Sequence, residues 1–122
     1  MPPSHFVLLY VAQPEASARF YAQLLQRQPI EASPTFAMFA LGDGLMLGLW
    51  KRDTVEPSAT AASGASELAF VMPDDAAVDA TYARWEGEGV AIAQTPQRMD
   101  FGYTCVGLDP DGHRLRAFAP GE

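Results

Sequence analysis

Two β-α-β-β-β modules, each a cupped four-stranded sheet forming a half-barrel with a helix on one face, make an α+β fold, and three observations in the sequence predict it. The same order of elements is read twice, in residues 5–51 and again in 67–120, with a Pro-, Ser-, Thr- and Ala-rich linker over 52–66 between them. Laying Gly44 on Gly112 aligns Leu47 with Leu115, Gly48 with Arg116, Leu49 with Ala117 and Trp50 with Phe118, and laying Phe6 on Glu67 aligns the opening strands. Strand alternation gives each module one wholly apolar face: Val7, Leu9, Val11, Leu45, Leu47 and Leu49 in the first, Leu68, Phe70, Met72, Leu115 and Ala117 in the second. Such faces need helices over them.

His5 to Val11 is rich in β-branched and aromatic residues and opens as a strand. Pro14 starts a helix that runs to about residue 27, with Ala16, Phe20 and Leu24 as its apolar stripe, Tyr21 and Leu25 beside them, and Pro29 as its stop. Pro29 to Ser33 forms a short edge strand and Thr35 to Leu41 the next. Gly42-Asp43-Gly44 then turns the chain into Leu45 to Trp50. From Arg52 to Ser66 almost no large apolar group occurs, the composition of an exposed linker.

The second module opens with Glu67 to Met72. Pro73-Asp74-Asp75 starts a helix through Val78, Tyr82 and Trp85, ended by Gly87-Glu88-Gly89, and Val90 to Thr95 is its edge strand. Gly102 to Leu108 and Arg114 to Phe118 are joined by Asp109-Pro110-Asp111-Gly112, the chemistry of a type I turn closed by a bulge. Alternation places Arg114, Arg116 and Phe118 on one face of that hairpin and Leu115 and Ala117 on the other.

A chain of 122 residues suits one domain containing both modules. With apolar runs far shorter than the roughly 20 residues of a bilayer span, no basic leader in Met1 to Ser4 and one cysteine, a cytoplasmic protein without a membrane segment is expected. A net charge of -7 disfavours binding to nucleic acid, whose affinity rests on neutralising phosphates.

The sheet faces turned away from the helices carry Phe6, Leu8, Tyr10, Met46, Gly48 and Trp50 in the first module, and Glu67, Ala69, Val71, Arg114, Arg116 and Phe118 in the second. Aromatic, small and charged side chains together line a concave pocket better than they fill a core.

Paired β-α-β-β-β modules, Ser17-x-x-Phe20-Tyr21, Glu67-Leu68-Ala69-Phe70 and Asp109-Pro110-Asp111-Gly112 together resemble the vicinal-oxygen-chelate superfamily of glyoxalase I, extradiol dioxygenases and bleomycin-type resistance proteins. The resemblance covers essentially the whole chain and implies the glyoxalase/bleomycin resistance fold. In metal-dependent members each sheet supplies two ligands, typically His and Glu, from its first and last strands. The matching positions here are Phe6, Gly48, Glu67 and Arg116, and a single carboxylate among them falls short of the roughly three protein ligands of a catalytic metal. No metal ligands and no cofactor are expected. His5 falls one residue out of the ligand register and His113 follows the turn glycine, the positions of structural or surface histidines; Cys105 has no base partner in the sequence.

Phe101-Gly102-x-Thr104 before the Asp109 turn and Arg116, with Leu49-Trp50 ending the first module, is similar to the phenazine and peptide-antibiotic resistance branch of that superfamily. The resemblance implies a metal-free homodimer that sequesters a small planar aromatic molecule. Phe6, Tyr10, Phe36, Trp50 and Phe118 could sandwich a ring, with Met46, Gly48 and Phe101 nearby, and Arg114 or Arg116 could meet an acid on the ligand. Three rivals stand beside this reading: a metal-independent lyase, isomerase or hydrolase with Glu67 as base, a dimeric interaction module in which Glu67 and Arg116 merely pair, and an enzyme related to the glyoxalases and dioxygenases.

Overall fold

The computed structural model describes residues 5–121; Met1 to Ser4, where an export leader was sought, and Glu122 lie outside them. The chain divides into two compact units with the boundary between Ala61 and Ala62, inside the expected linker. The first holds β1 (His5–Val11), α1 (Pro14–Leu25), β2 (Glu31–Ala32), β3 (Phe36–Gly42) and β4 (Leu45–Lys51), and the second β5 (Glu67–Val71), α2 (Asp75–Gly87), β6 (Ala91–Met99), β7 (Gly102–Leu108) and β8 (Arg114–Pro120).

Each unit is one four-stranded mixed sheet with its helix, ordered β1-β4-β3-β2 and β5-β8-β7-β6. The first strand of each runs parallel to the last, setting Phe6 beside Met46 and Glu67 beside Arg114. Those pairs are equivalent in the alignment of the two halves, so the duplication holds at the level of strand register. The turn expected at Asp109 forms. Gly112 donates to the Asp109 carbonyl at 3.0 Å and takes φ of +87°, a conformation open to glycine, while the Asp109 carboxylate accepts from the Asp111 and His113 amides.

In the first unit α1 packs on β3 and β4, burying Ala37, Phe39, Leu47 and Leu49 completely. Its buried stripe is Pro14, Ser17, Ala18, Tyr21 and Leu24, not the expected Ala16, Phe20 and Leu24. Steps of four residues drift about 40° each around a helix, whereas alternating steps of three and four keep to one side. Phe20 is left at the rim, edge-on to the buried Tyr21 ring at 5.1 Å. The helix also ends at Leu25, earlier than expected, because Gln26 takes a left-handed φ of +56° and its amide closes onto the Ala22 carbonyl.

Three other segments depart from the expected bounds. β2 is shorter than Pro29 to Ser33, since Pro29 has no amide to donate and Ser33 is already bonded into the turn that leads to Phe36. β6 runs on to Met99 past Pro96; as an edge strand with two register shifts it needs no ladder donor there. The linker begins folded rather than exposed. A short 3-10 turn at Arg52–Thr54 buries Val55, and the Arg52 guanidinium bonds back to the Ala61 carbonyl.

α2 lies over β6, β7 and β8. Its first turn is capped by the Asp74 carboxylate, which accepts from the Ala77 amide at 2.8 Å, and it is tied to the sheet by Tyr103 donating to Asp79 at 2.8 Å. Trp85 is 1% exposed and packs against Gly107, where a Cβ would come within 3.1 Å of the indole. Truncating such an anchor to alanine costs about 3–5 kcal/mol. Since each helix covers the middle of its sheet, Val7, Leu9, Leu68, Phe70 and Met72 on or after the outer strands are only half-buried and Leu45 is exposed, a smaller core than strand alternation alone implies.

Candidate functional site

In each unit the expected site residues lie on the sheet face opposite the helix, and each face is built differently.

On the first sheet, register sets Phe36 beside Trp50 and Trp50 beside Tyr10 in one row across β3, β4 and β1. Tyr10 and Trp50 meet edge-to-face with ring centroids 6.1 Å apart. The next row is Met38, Gly48 and Leu8, and the next Ala40, Met46 and Phe6. Ser33 fixes the start of this surface: its hydroxyl accepts from the Phe36 amide at 3.1 Å and donates to the Phe36 carbonyl at 3.1 Å. Gly48 is not open pocket wall. Leu8 and the Phe36 ring lie over it, so that a Cβ there would sit 2.7 Å from Leu8 Cδ2 and 2.9 Å from Phe36 Cζ. Tyr10, Phe36, Met38, Met46 and Trp50 are half-buried and Phe6 is exposed, a neutral surface of rings and two thioethers.

On the second sheet the face is charged. Arg116 on β8 grips Glu67 on β5 through two hydrogen bonds, Nε to Oε1 at 2.7 Å and Nη2 to Oε2 at 2.8 Å. Its third nitrogen donates to the buried Thr104 hydroxyl at 3.1 Å and reaches Gln94 at 3.4 Å, and Thr104 in turn donates to the Ala117 carbonyl. Arg114 Nη2 lies 3.0 Å from the same Glu67 Oε2. The Phe118 ring is edge-on to Phe101 at 5.8 Å, and the Arg116 guanidinium stands 5.5 Å from the Phe101 ring centre.

The Arg116 hydrogen bonds pull the Glu67 carboxyl below its ordinary value, partial burial opposing and the charges of both arginines assisting; the same bonds raise Arg116. Glu67 is therefore held ionised and is a weaker base than a free glutamate, which works against its use in proton abstraction. Cys105 faces α2, away from this surface, and burial pushes its thiol up, the setting of an inert structural cysteine.

A divalent metal in the manner of the superfamily does not fit these residues. Phe6 offers carbon only, Gly48 has no side chain and its space is filled, Glu67 has both oxygens on guanidinium groups, and Arg116 is itself a cation. Among the described residues no cluster of three or more His, Cys, Asp or Glu side chains could hold an ion.

Register sets Phe6 beside Met46, Trp50 between Phe36 and Tyr10, and Glu67 beside Arg114, while Arg116, in register with Ala69, reaches Glu67 through its side chain. The sequence reading missed Met38 and Gln94, and it named Thr104 in a motif without giving it a place in the site. Thr104 could have been found by carrying alternation onto β7, where it lies opposite Phe118. Gln94 could not, because the irregular pairing of β6 hides which of its residues face the site. A cleft of about 520 Å³ opens elsewhere on the first unit, lined by Ala12, Arg52, Asp53, Val55, Ser58 and Ala59, none of them an expected site residue.

Residues 4–117 match the profile of the Glyoxalase/Bleomycin resistance protein/Dioxygenase superfamily. The chain is 27% identical over 112 residues to the phenazine antibiotic resistance protein EhpR of Enterobacter agglomerans, an alignment covering 89% of this chain and 85% of that one. A protein of Agrobacterium tumefaciens with a solution NMR structure is 50% identical with a TM-score of 0.88, each chain covered in full. A glyoxalase-related enzyme from Fulvimarina pelagi, 21% identical over 98% of this chain and 88% of its own, has the same fold with a TM-score of 0.84.

Proposed function

The chain belongs to the glyoxalase/bleomycin resistance protein/dioxygenase superfamily, and on that premise we propose that it is a metal-free binding protein that sequesters a small planar aromatic molecule. One observation carries this reading: Phe36, Trp50 and Tyr10 stand in one row of strand register on the sheet face opposite α1, half-buried and without a charged side chain among them, with Tyr10 edge-on to Trp50 and the Phe36 ring over Gly48. A flat ligand stacking on that row gains aromatic contact of about 0.5–1.5 kcal/mol per ring beyond simple burial. The likeness to a phenazine antibiotic resistance protein supports an aromatic cargo. Glu67, ionised and bound on both oxygens, argues for a binder over an enzyme that uses it as a base.

The test is titration with phenazine, a quinone and a quinoline while tryptophan emission is recorded. Quenching in the wild type, and a loss of about 1–3 kcal/mol in affinity for Trp50→Ala, is the expected result, with Trp85→Phe as a background control from the helix side of the other unit. If Trp50→Ala binds all three as tightly as the parent, the stacking row is wrong.

The same reading includes a homodimer. Phe6 and Leu8 are 49% and 44% exposed, more apolar surface than a solitary sheet face leaves open without purpose. A sedimentation mass of 13.2 kDa at micromolar concentration would contradict it.

A further inference from the structure

We propose that the cleft beyond the end of β4 is a second binding site, one that takes a small zwitterion with an aliphatic body, such as an amino acid or a dipeptide. The strands explain why a hollow opens there. β1 and β4 run parallel and end side by side at Val11 and Lys51, and the chain beyond β4 folds back on itself. The Thr54 hydroxyl donates to the Lys51 carbonyl at 2.8 Å, Val55 turns inward to 3% exposure, and Arg52 Nη2 donates to the Ala61 carbonyl, clipping residues 52–61 into a loop. The space left, about 520 Å³, falls in the range of about 300–1,000 Å³ usual for small-molecule sites. Every residue lining it belongs to the first compact unit, and none stands in the row of Phe36, Trp50 and Tyr10.

The lining is dipolar. Ala12, Val55 and Ala59 supply carbon, Ser58 a hydroxyl, Arg52 a cation and Asp53 an anion. The two charges are neighbours in sequence yet are not spent on each other. Among the described residues the Arg52 side chain has the Ala61 carbonyl as its one hydrogen-bond partner, which leaves Nε and Nη1 to donate. Asp53 meets Lys51 instead, at 3.6 Å and with 76% of its side chain exposed. So long and wet a contact contributes little and is readily exchanged. A plain anion in the cleft gains Arg52 but is repelled by Asp53, and a plain amine meets the reverse. A molecule carrying carboxylate and ammonium together satisfies both, the carboxylate on the guanidinium fork with the Ser58 hydroxyl as a further donor. Its aliphatic body then lies against Ala12, Val55 and Ala59.

Leucine, 4-methylpentanoate and 3-methylbutylamine share one aliphatic body and differ in carrying both charges, the acid alone or the amine alone. None has a ring to stack on the aromatic row. Amide chemical shifts of the nitrogen-15-labelled full chain, recorded at neutral pH as each compound is added, give affinity and location together. Leucine should move the amides of residues 52–59 and bind about tenfold or more tightly than either analogue, one charge-assisted contact's share of affinity. Arg52→Gln, which keeps a donor for the Ala61 carbonyl, should remove the advantage of leucine over the amine. Asp53→Asn should remove its advantage over the acid. Arg52→Lys, which keeps the charge, should retain part of the preference and so separates loss of charge from loss of shape, with circular dichroism checking that each variant is folded. The proposal is overturned if leucine leaves residues 52–59 unmoved, if its shifts centre on Tyr10, Phe36 and Trp50 instead, or if the acid or the amine binds as tightly as leucine. Each of these outcomes leaves the aromatic binder standing, because the ring row is read by tryptophan quenching with other compounds.

Discussion

Glu67 and Arg116 lie on adjacent strands, clasped through two parallel hydrogen bonds of 2.7 and 2.8 Å at the two positions of the second sheet that the family resemblance sets against metal ligands. A guanidinium fork matched to a carboxylate occupies that place with protein alone.

The clasp makes stability depend on pH in one direction. Glu67 has its folded pKa lowered from an ordinary value near 4.5, so the unfolded chain takes up the proton first as pH falls. The contribution of the pair is complete above that value and disappears as pH drops through the lowered folded one. Glu67→Gln should cost about 1–2 kcal/mol at neutral pH, between the values for exposed pairs and for hydrogen bonds to buried charges. Urea unfolding at pH 7 and in the acid range below 4.5 should show the difference between wild type and variant narrowing. A difference constant over that range would mean that the clasp adds nothing.

Gly48 gives a second test, on the first sheet. With Leu8 and Phe36 already within 3 Å of where a Cβ would stand, Gly48→Ala must displace one or both. Leu8 can move at little cost, but Phe36 is tied by its backbone to Ser33, so overpacking of about 1–3 kcal/mol is expected. Because Phe36 stands in the row with Trp50, the same substitution should weaken binding of a flat ring. Unchanged stability and unchanged ring affinity together would show that the glycine is incidental.

Zinc, nickel or manganese in excess should leave the thermal midpoint unmoved, and prolonged dialysis against EDTA should do the same. A ligand that binds only the folded state raises the midpoint in proportion to its occupancy. An upward shift of several degrees with one of these ions, abolished in Glu67→Gln, would restore the metalloprotein reading.

Much of this was legible in the chain itself. Alternation from Arg114 to Phe118 separates the buried Leu115 and Ala117 from the arginines on the opposite face, and the Gly44 to Gly112 alignment anticipates that Phe6 and Glu67 stand beside Met46 and Arg114. What escaped depends on three-dimensional neighbours. Periodicity along α1 cannot tell whether Phe20 or Tyr21 meets the sheet until the helix has been laid over β3 and β4. The shielding of Gly48 needs the cross-strand position of Phe36. The partners that hold Arg116 come from three other strands, of which β6 has an irregular register.

Trp85 has a further use. Its indole is buried against Gly107 and Val90, and among the described residues its N–H has no acceptor, whereas Trp50 is half-exposed beside Tyr10. An indole in dry, apolar surroundings emits at shorter wavelength than one touched by water and is shielded from dissolved iodide. The chain has two tryptophans, one in each compact unit. The protein thus carries two separately coloured lamps, and a denaturant titration followed at both wavelengths would report whether its halves melt together or one after the other.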